Sequence, residues 1–267
     1  MPHTDFLING HRVPIETALR TALDDWGRDQ THTYPLLKAM VQREQNESYT
    51  PSKFYGCDRS LYLRINRDYA VDPSTAFARL RGSLFHQILE GAAQGRDDYH
   101  PLIEVNFTRP IRVDGVWRLV TGRIDLADPA RGLLTDYKTT KRLFPPYPKP
   151  DDVGKLKLYA WMAQAHGLTL DKGELVYVEI ATGRIERARV LIKPASEAWI
   201  EQRVRAIATL YDGTIPEIID LEDQWMCGYC DVAPECITLA AEQNTPPPIT
   251  DPKARKKALA ARQEYTA

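Results

Sequence analysis

Residues 117–140 read WRLVTGRIDLADPARGLLTDYKTT, and the reading of this stretch decides the architecture around it. Its two halves, Trp117–Leu126 and Leu133–Thr139, are rich in apolar and β-branched residues, and the turn-forming run Asp128, Pro129, Ala130, Arg131, Gly132 lies between them. The pattern predicts two antiparallel strands joined by a short connection. Side chains alternate along a strand, so Thr121, Arg123 and Asp125 share one face of the first, and Asp136 and Lys138 share one face of the second. Pairing the strands is expected to gather Asp125, Asp136 and Lys138 into one cluster. Phosphodiester hydrolysis calls for such a set. A divalent cation stabilises the transition state and acidifies the attacking water, and Mg²⁺ takes hard oxygen ligands that commonly include one or two carboxylates. A neighbouring ammonium orients the water or offsets developing negative charge. An Asp-x-Lys triplet alone is equally a surface ion pair of little energetic weight, so its meaning depends on its surroundings.

Working outward, Leu102–Arg109 reads as a third strand, and a helix follows Pro73, with Phe77, Leu80, Leu84 and Ile88 as its apolar stripe and an end near Gly91. Residues 143–151 are Pro-rich and predict a loop, followed by a helix over Asp152–Ala165. Glu174–Ile180 and Ile185–Ile192 predict a hairpin across Thr182-Gly183, and Ser196–Tyr211 a last long helix. Near the N-terminus, residues 6–15 suggest a hairpin around Asn9-Gly10, and residues 16–46 two helical stretches broken near Thr33–Pro35. Residues 51–65 read as loop running into helix, with Cys57 near the junction, and residues 251–267 as a basic helix or arm carrying Lys253, Arg255, Lys256, Lys257 and Arg262. The alternation of strands and helices predicts a mixed α/β fold, a central mixed sheet flanked by helices. The expected organisation is an N-terminal hairpin and helical segment (1–50), a core domain (51–240) and a Pro-rich linker with basic tail (241–267).

The chain of 267 residues is 43% hydrophobic and 27% charged, with a net charge of -1, as expected of a globular protein with a full core. The near-zero charge argues against a protein that coats polyanions through bulk charge, but it decides little, because a local basic groove and an acidic metal site cancel in the sum. There is no secretory signal and no apolar run long enough to span a membrane, so a cytoplasmic protein is expected. No GxxxxGK[ST] phosphate loop occurs. The cysteines are Cys57, Cys227, Cys230 and Cys236, the last three spaced C-x2-C-x5-C. In a reducing compartment such a set points to metal rather than disulfides. Four thiolates suit either zinc or a [4Fe–4S] cluster. The division of one plus three differs from the paired knuckles usual for structural zinc.

The run Gly122-Arg-Ile-Asp125, followed by Asp136-Tyr-Lys138, resembles the core motif of RecB-type PD-(D/E)XK nucleases, and Gly82-Ser-Leu-Phe-His86 resembles the histidine motif that those enzymes carry on an earlier helix. On a helical wheel His86 lies opposite the apolar stripe. The resemblance implies that His86, Asp125 and Asp136, with the backbone carbonyl of Tyr137, bind Mg²⁺ or Mn²⁺. It implies that Lys138 acts on the nucleophilic water. The family's glutamine and tyrosine, four residues apart on a helix, correspond to Lys155 and Tyr159; lysine stands where glutamine is expected and cannot accept a hydrogen bond. These two would contact the substrate strand. The cysteine spacing resembles the iron–sulfur subset of the family, including AddB and the CRISPR-associated exonucleases, and implies a [4Fe–4S] staple on Cys57, Cys227, Cys230 and Cys236. The resemblance further implies a DNA exonuclease acting on single strands or free ends, with endonuclease activity open, in CRISPR adaptation or in phage or repair recombination. Partners would be DNA and a CRISPR integrase or recombination proteins. The competing readings are a catalytically quiet iron–sulfur DNA-binding or scaffold module, and a zinc-stabilised regulatory protein whose Asp-x-Lys is coincidental.

Overall fold

The computed structural model describes residues 4–24, 37, 38, 40, 48–93 and 101–266. The chain divides into two units, one of residues 1–46, 56–80 and 209–267, the other of residues 47–55 and 81–208.

The second unit is built on a five-stranded sheet of order β4-β5-β6-β7-β8. Its strands are β4 (Leu102–Val113), β5 (Val116–Asp128), β6 (Leu133–Thr140), β7 (Lys172–Glu179) and β8 (Ile185–Leu191). All neighbours are antiparallel except β6 and β7, which run parallel with Lys138 opposite Tyr177. A parallel pair requires a long crossover, and the intervening chain supplies it as helix α5 (Pro150–Gln164). Leu156, Leu158 and Met162 of α5 are fully buried. This helix begins two residues before its expected start, because Pro150 sits at its first position, where a missing N–H costs nothing. β4 and β5 also run past their expected ends, meeting at Asp114-Gly115, both with positive φ (49° and 82°). Pro110 is tolerated inside β4 because β4 is an edge strand. Helix α6 (Glu197–Tyr211) buries Ile200, Val204 and Ile207 at helical spacing, and its Trp199 ring packs on Phe54 and Tyr55, beside the short helix α2 (Pro51–Phe54).

The expected hairpin at Asn9-Gly10 is present in the first unit: β1 (Asp5–Ile8) pairs with β2 (His11–Pro14), with both turn residues at positive φ. The unexpected partner is β3 (Ala70–Val71), which adds parallel to β1 and makes a three-stranded sheet of order β2-β1-β3. Two residues are too few for periodicity to reveal. Helix α1 (Ile15–Asp24) follows the hairpin; the second helical stretch and the break at Thr33–Pro35 lie largely outside the described residues. Helix α3 (Asp58–Asn66) packs with α7 (Ala233–Glu242) around Phe6, Tyr62, Leu63, Val71, Val232 and Leu239. The tail forms helix α8 (Pro252–Thr266).

One expectation is overturned. In α4 (Pro73–Ala93) the stripe of Phe77, Leu84 and Ile88 is exposed, at 43%, 48% and 69%. The part-buried face carries Gly82, Phe85, His86 and Leu89, an equally regular helical spacing. Gly82 lets this face come close to β6: a Cβ there would lie 3.5 Å from Thr139 Oγ1.

Candidate active site

Five ionisable side chains from four elements converge in the larger sheet's unit. The β5–β6 ladder ends at Leu126 opposite Thr135. One step further the strands part, and Asp125 and Asp136 occupy the opening. The Tyr137 N–H, which has no ladder partner on β5, donates to Asp125 Oδ2 at 2.7 Å. Lys138 Nζ lies 2.5 Å from Asp136 Oδ2 in a close ion pair, although that buried oxygen has no hydrogen bond of good angle among the described residues. From α4, His86 Nδ1 lies 3.4 Å from Asp125 Oδ1 and 3.5 Å from Glu104 Oε1. The ligand atoms of His86, Glu104 and Asp125 all fall within 4.8 Å of one another.

The electrostatics follow from burial. Burial first, and then the charge of Asp136, raises the Asp125 carboxyl from 3.8 to about 7. Burial lowers the His86 imidazole against the opposing pull of Glu104, which favours the neutral, metal-ligating form. Burial also works against the Lys138 ammonium, but the Asp136 carboxylate beside it prevails and holds the lysine charged. Carboxylates crowded at this density repel one another unless a cation is shared between them. Oxygen donors with one imidazole suit a hard or borderline divalent ion such as Mg²⁺ or Mn²⁺.

A family profile described as the PD-(D/E)XK nuclease superfamily matches residues 96–237, just over half of the chain. The chain belongs to the PD-(D/E)XK nuclease superfamily. The matched span contains Glu104, Asp125, Asp136, Lys138 and Tyr159; His86 and Cys57 precede it. The comparison with curated proteins gives no match. Among solved structures, one titled "Crystal structure of SSO0001" superposes with a TM-score of 0.56 at 20% identity, over 83% of this chain and 94% of that one. A phage related exonuclease from Haemophilus somnus 129PT gives a TM-score of 0.31 at 17% identity, over 49% of this chain and 69% of its own.

As PD-(D/E)XK nucleases use divalent metals, the carboxylate cluster is the candidate metal site of this one. Sequence reasoning missed Glu104. It lies on β4 at a positive φ of 50°, which turns its side chain toward Asp125, while Arg123 Nε holds its other oxygen at 2.6 Å. A lone acidic residue in the apolar run Leu102-Ile103-Glu104-Val105 was the available signal; the backbone kink that aims it leaves no trace in the sequence.

The PD-(D/E)XK core also positions Tyr159. A Cβ at Gly122 would lie 2.8 Å from Tyr159 Cε1 and from Met162 Cε, so glycine permits α5 to sit close on β5. Burial, and then the charges of Asp136, Asp125 and Glu104, raise the Tyr159 phenol far above its usual value and keep it neutral. Lys155 is engaged elsewhere: its Nζ lies 3.3 Å from Asp152 Oδ1, and Asp152 Oδ2 accepts a hydrogen bond from Tyr177.

The cysteines lie in the other unit. Cys57 is the N-cap of α3, its sulfur accepting from Ser60 N at 3.4 Å, and Cys230 Sγ lies 3.6 Å from Ser60 Oγ. Burial raises the Cys227 thiol to about 11, and the charges of Cys57, Cys230 and Cys236 add to the shift. Burial likewise raises Cys57 and Cys236, and the nearby Arg59 guanidinium opposes it at Cys236. The four thiols therefore share one neighbourhood, but no three of their sulfurs gather within 4.8 Å of one another. A tetrahedral zinc site needs thiolates about 4 Å apart, given Zn–S bonds of about 2.3 Å. Arg59 is 2% exposed; it donates to Pro216 O and Gln243 Oε1, while its Nε has no hydrogen-bond partner among the described residues.

Proposed function

We propose that the protein is a Mg²⁺- or Mn²⁺-dependent DNA nuclease, directed at single strands or free ends, with a [4Fe–4S] cluster on Cys57, Cys227, Cys230 and Cys236. The observation that carries the catalytic part is the meeting of His86, Glu104 and Asp125 at one point, with the charge of Asp136 acting on Asp125 and Lys138 paired to Asp136. His86, Glu104, Asp125 and Asp136, with the Tyr137 carbonyl, would hold the cation. Bound there, it supplies charge stabilisation and acidifies water.

The chain's own groups divide the remaining work. Asp136 fixes the Lys138 ammonium at 2.5 Å, so that a positive charge stands ready where the scissile phosphate gains negative charge. Asp125 is oriented by the Tyr137 N–H, and Glu104 by Arg123. The neutral Tyr159 phenol is a hydrogen-bond donor beside the carboxylates and can hold a non-bridging phosphate oxygen.

For the cysteines, the support is that Cys57 and Cys230 both lie against Ser60, that the thiols of Cys57, Cys227 and Cys236 feel the charge of their fellows, and that the buried Arg59 cation stands near Cys236 to balance an anionic cluster. Such a cluster would tie Cys57 to the segment 227–236 and act as a staple. The chemistry suits processing of DNA ends in CRISPR adaptation or in phage or repair recombination, with an integrase or recombination proteins as partners.

Anaerobically purified protein should be brown, contain iron, and cut end-labelled single-stranded DNA with Mg²⁺ or Mn²⁺, cutting being lost in Lys138→Ala. Comparison of linear with circular single strands separates end-directed from internal cutting. Iron-loaded protein that cuts no strand with either metal would overturn the catalytic part and move the function to DNA binding or scaffolding. A colourless zinc protein that cuts would overturn the cluster.

A further inference from the structure

The connection between β6 and α5 contains an aromatic side chain that packing does not account for. Phe144 is 60% exposed, and Arg142 Cζ stands 5.5 Å from the centre of its ring. An exposed phenylalanine is common on surfaces. This one differs in how firmly its backbone is held. Thr140 Oγ1 donates to Arg142 O at 2.8 Å, Phe144 N donates to Tyr147 Oη at 2.8 Å, and Lys149 Nζ donates to Phe144 O at 2.6 Å. The Tyr147 ring in turn lies on the Tyr177 ring, with centroids 4.2 Å apart. Tyr177 Oη accepts from Lys149 N at 3.0 Å and donates to Asp152 Oδ2 at 2.9 Å. Tyr177 is the register partner of Lys138 across the parallel β6–β7 pair. A chain of direct contacts thus runs from the strand position beside Lys138 to the loop that presents Phe144.

We propose that Phe144, with Arg142 over its ring, is a stacking platform for a nucleobase of a single-stranded DNA substrate, set one or a few nucleotides from the phosphate at Lys138. The inference rests on the nuclease reading above and adds to it a residue that selects single strands. The charge around the platform fits: Lys141, Arg142 and Lys149 give the loop three cations for the phosphates on either side of a stacked base. A base paired inside a duplex keeps its faces in the helical stack and offers none to Phe144. A single strand offers every base, whatever the sequence. The loop is preorganised by its hydrogen bonds, so little of the stacking energy is spent on ordering the protein.

The test uses the full chain in a Lys138→Ala background, so that bound DNA is not consumed. Three probes are compared by fluorescence: a short single strand containing 2-aminopurine, the same strand as a duplex, and a strand of equal length with abasic sites throughout. Stacking on Phe144 quenches 2-aminopurine. In Phe144→Ala the quench is expected to disappear and the Kd for the single strand to rise about 10-fold, corresponding to about 1.4 kcal/mol. Phe144→Trp should restore both, while the Kd values for the duplex and the abasic strand stay unchanged. An unaltered quench and Kd in Phe144→Ala overturn the platform. An equal loss for the abasic strand also overturns it, because the loop then acts through backbone or fold rather than through a base. The outcome is independent of turnover: cleavage by Phe144→Ala and by the otherwise unaltered chain, measured on abasic strands, reports separately on whether the nuclease reading stands.

Discussion

Replacing Asp125 by asparagine sets the cost of assembling the carboxylate cluster against the benefit of the cation it would hold. The Asp125 side chain is 14% exposed, and burial, then Asp136, raises its carboxyl from 3.8 to about 7. A folded pKa above the unfolded one means that the folded chain holds the proton more tightly. The stability this contributes is fully present below about pH 4 and is lost as the pH rises through about 7. At about 1.4 kcal/mol per pH unit, the gap between 3.8 and about 7 sets a ceiling of about 4 kcal/mol on the cost of the ionised group at pH 8. Asparagine removes the charge and keeps an oxygen to accept the Tyr137 N–H. In chelator at pH 8, Asp125→Asn is therefore expected to be more stable than the parent by about 2 kcal/mol, roughly half the ceiling, because the pocket relaxes and admits water around an ionised carboxylate. At pH 4 the advantage should vanish. Saturating Mg²⁺ should reverse the order, since binding to the folded parent adds stability that the variant cannot recover. Urea unfolding across this pH range, in chelator and in Mg²⁺, measures all of these. A variant no more stable than the parent at pH 8 in chelator would refute the account of Asp125, as would equal stabilisation of both by Mg²⁺.

Lys138→Met should abolish DNA cleavage but leave the Mg²⁺-induced rise in Tm in place, as calorimetry with and without the ion will show, because the role proposed for this lysine is in the reaction and not in holding the cation. Gly122→Ala places a methyl 2.8 Å from Met162 Cε and Tyr159 Cε1, and should cost about 1–3 kcal/mol in denaturant unfolding. Arg59→Ala strips the donors from Pro216 O and Gln243 Oε1, and is expected to cost about 1–3 kcal/mol and to lower the iron retained through purification. Cys230→Ser should reduce iron content and visible absorbance, while unfolding in the second unit, followed by Trp161 and Trp199 fluorescence, changes little.

Much of the fold could be read from the order of residues, because strand and helix periodicities are local. The alternation in Trp117–Leu126 and Leu133–Thr139 places Asp125 on one strand face, and Asp136 and Lys138 on one face of the next, whatever the rest of the chain does. The type of turn at Asn9-Gly10 is likewise a property of two residues that adopt positive φ readily. Where two local patterns compete, sequence does not choose. Helix α4 contains both a stripe of Phe77, Leu80, Leu84 and Ile88 and a stripe of Gly82, Phe85, His86 and Leu89, and the second faces inward. The two-residue strand Ala70–Val71 has no period to detect, and it exists only because β1 offers it a free edge.

By itself, then, the sequence determined the donor types and their strand faces: two carboxylates and a lysine on adjacent strands, a histidine on an earlier helix, and four thiols split one and three. These follow from periods of two and 3.6 residues, and from the chemistry of each side chain. The place of Glu104 in the cluster, and the hold on the loop after β6 that exposes Phe144, exist only in the folded protein. The physical reason is the same in each case. A positive φ on an edge strand and a set of side-chain-to-backbone hydrogen bonds depend on neighbours that come together only when the sheet and α5 have packed.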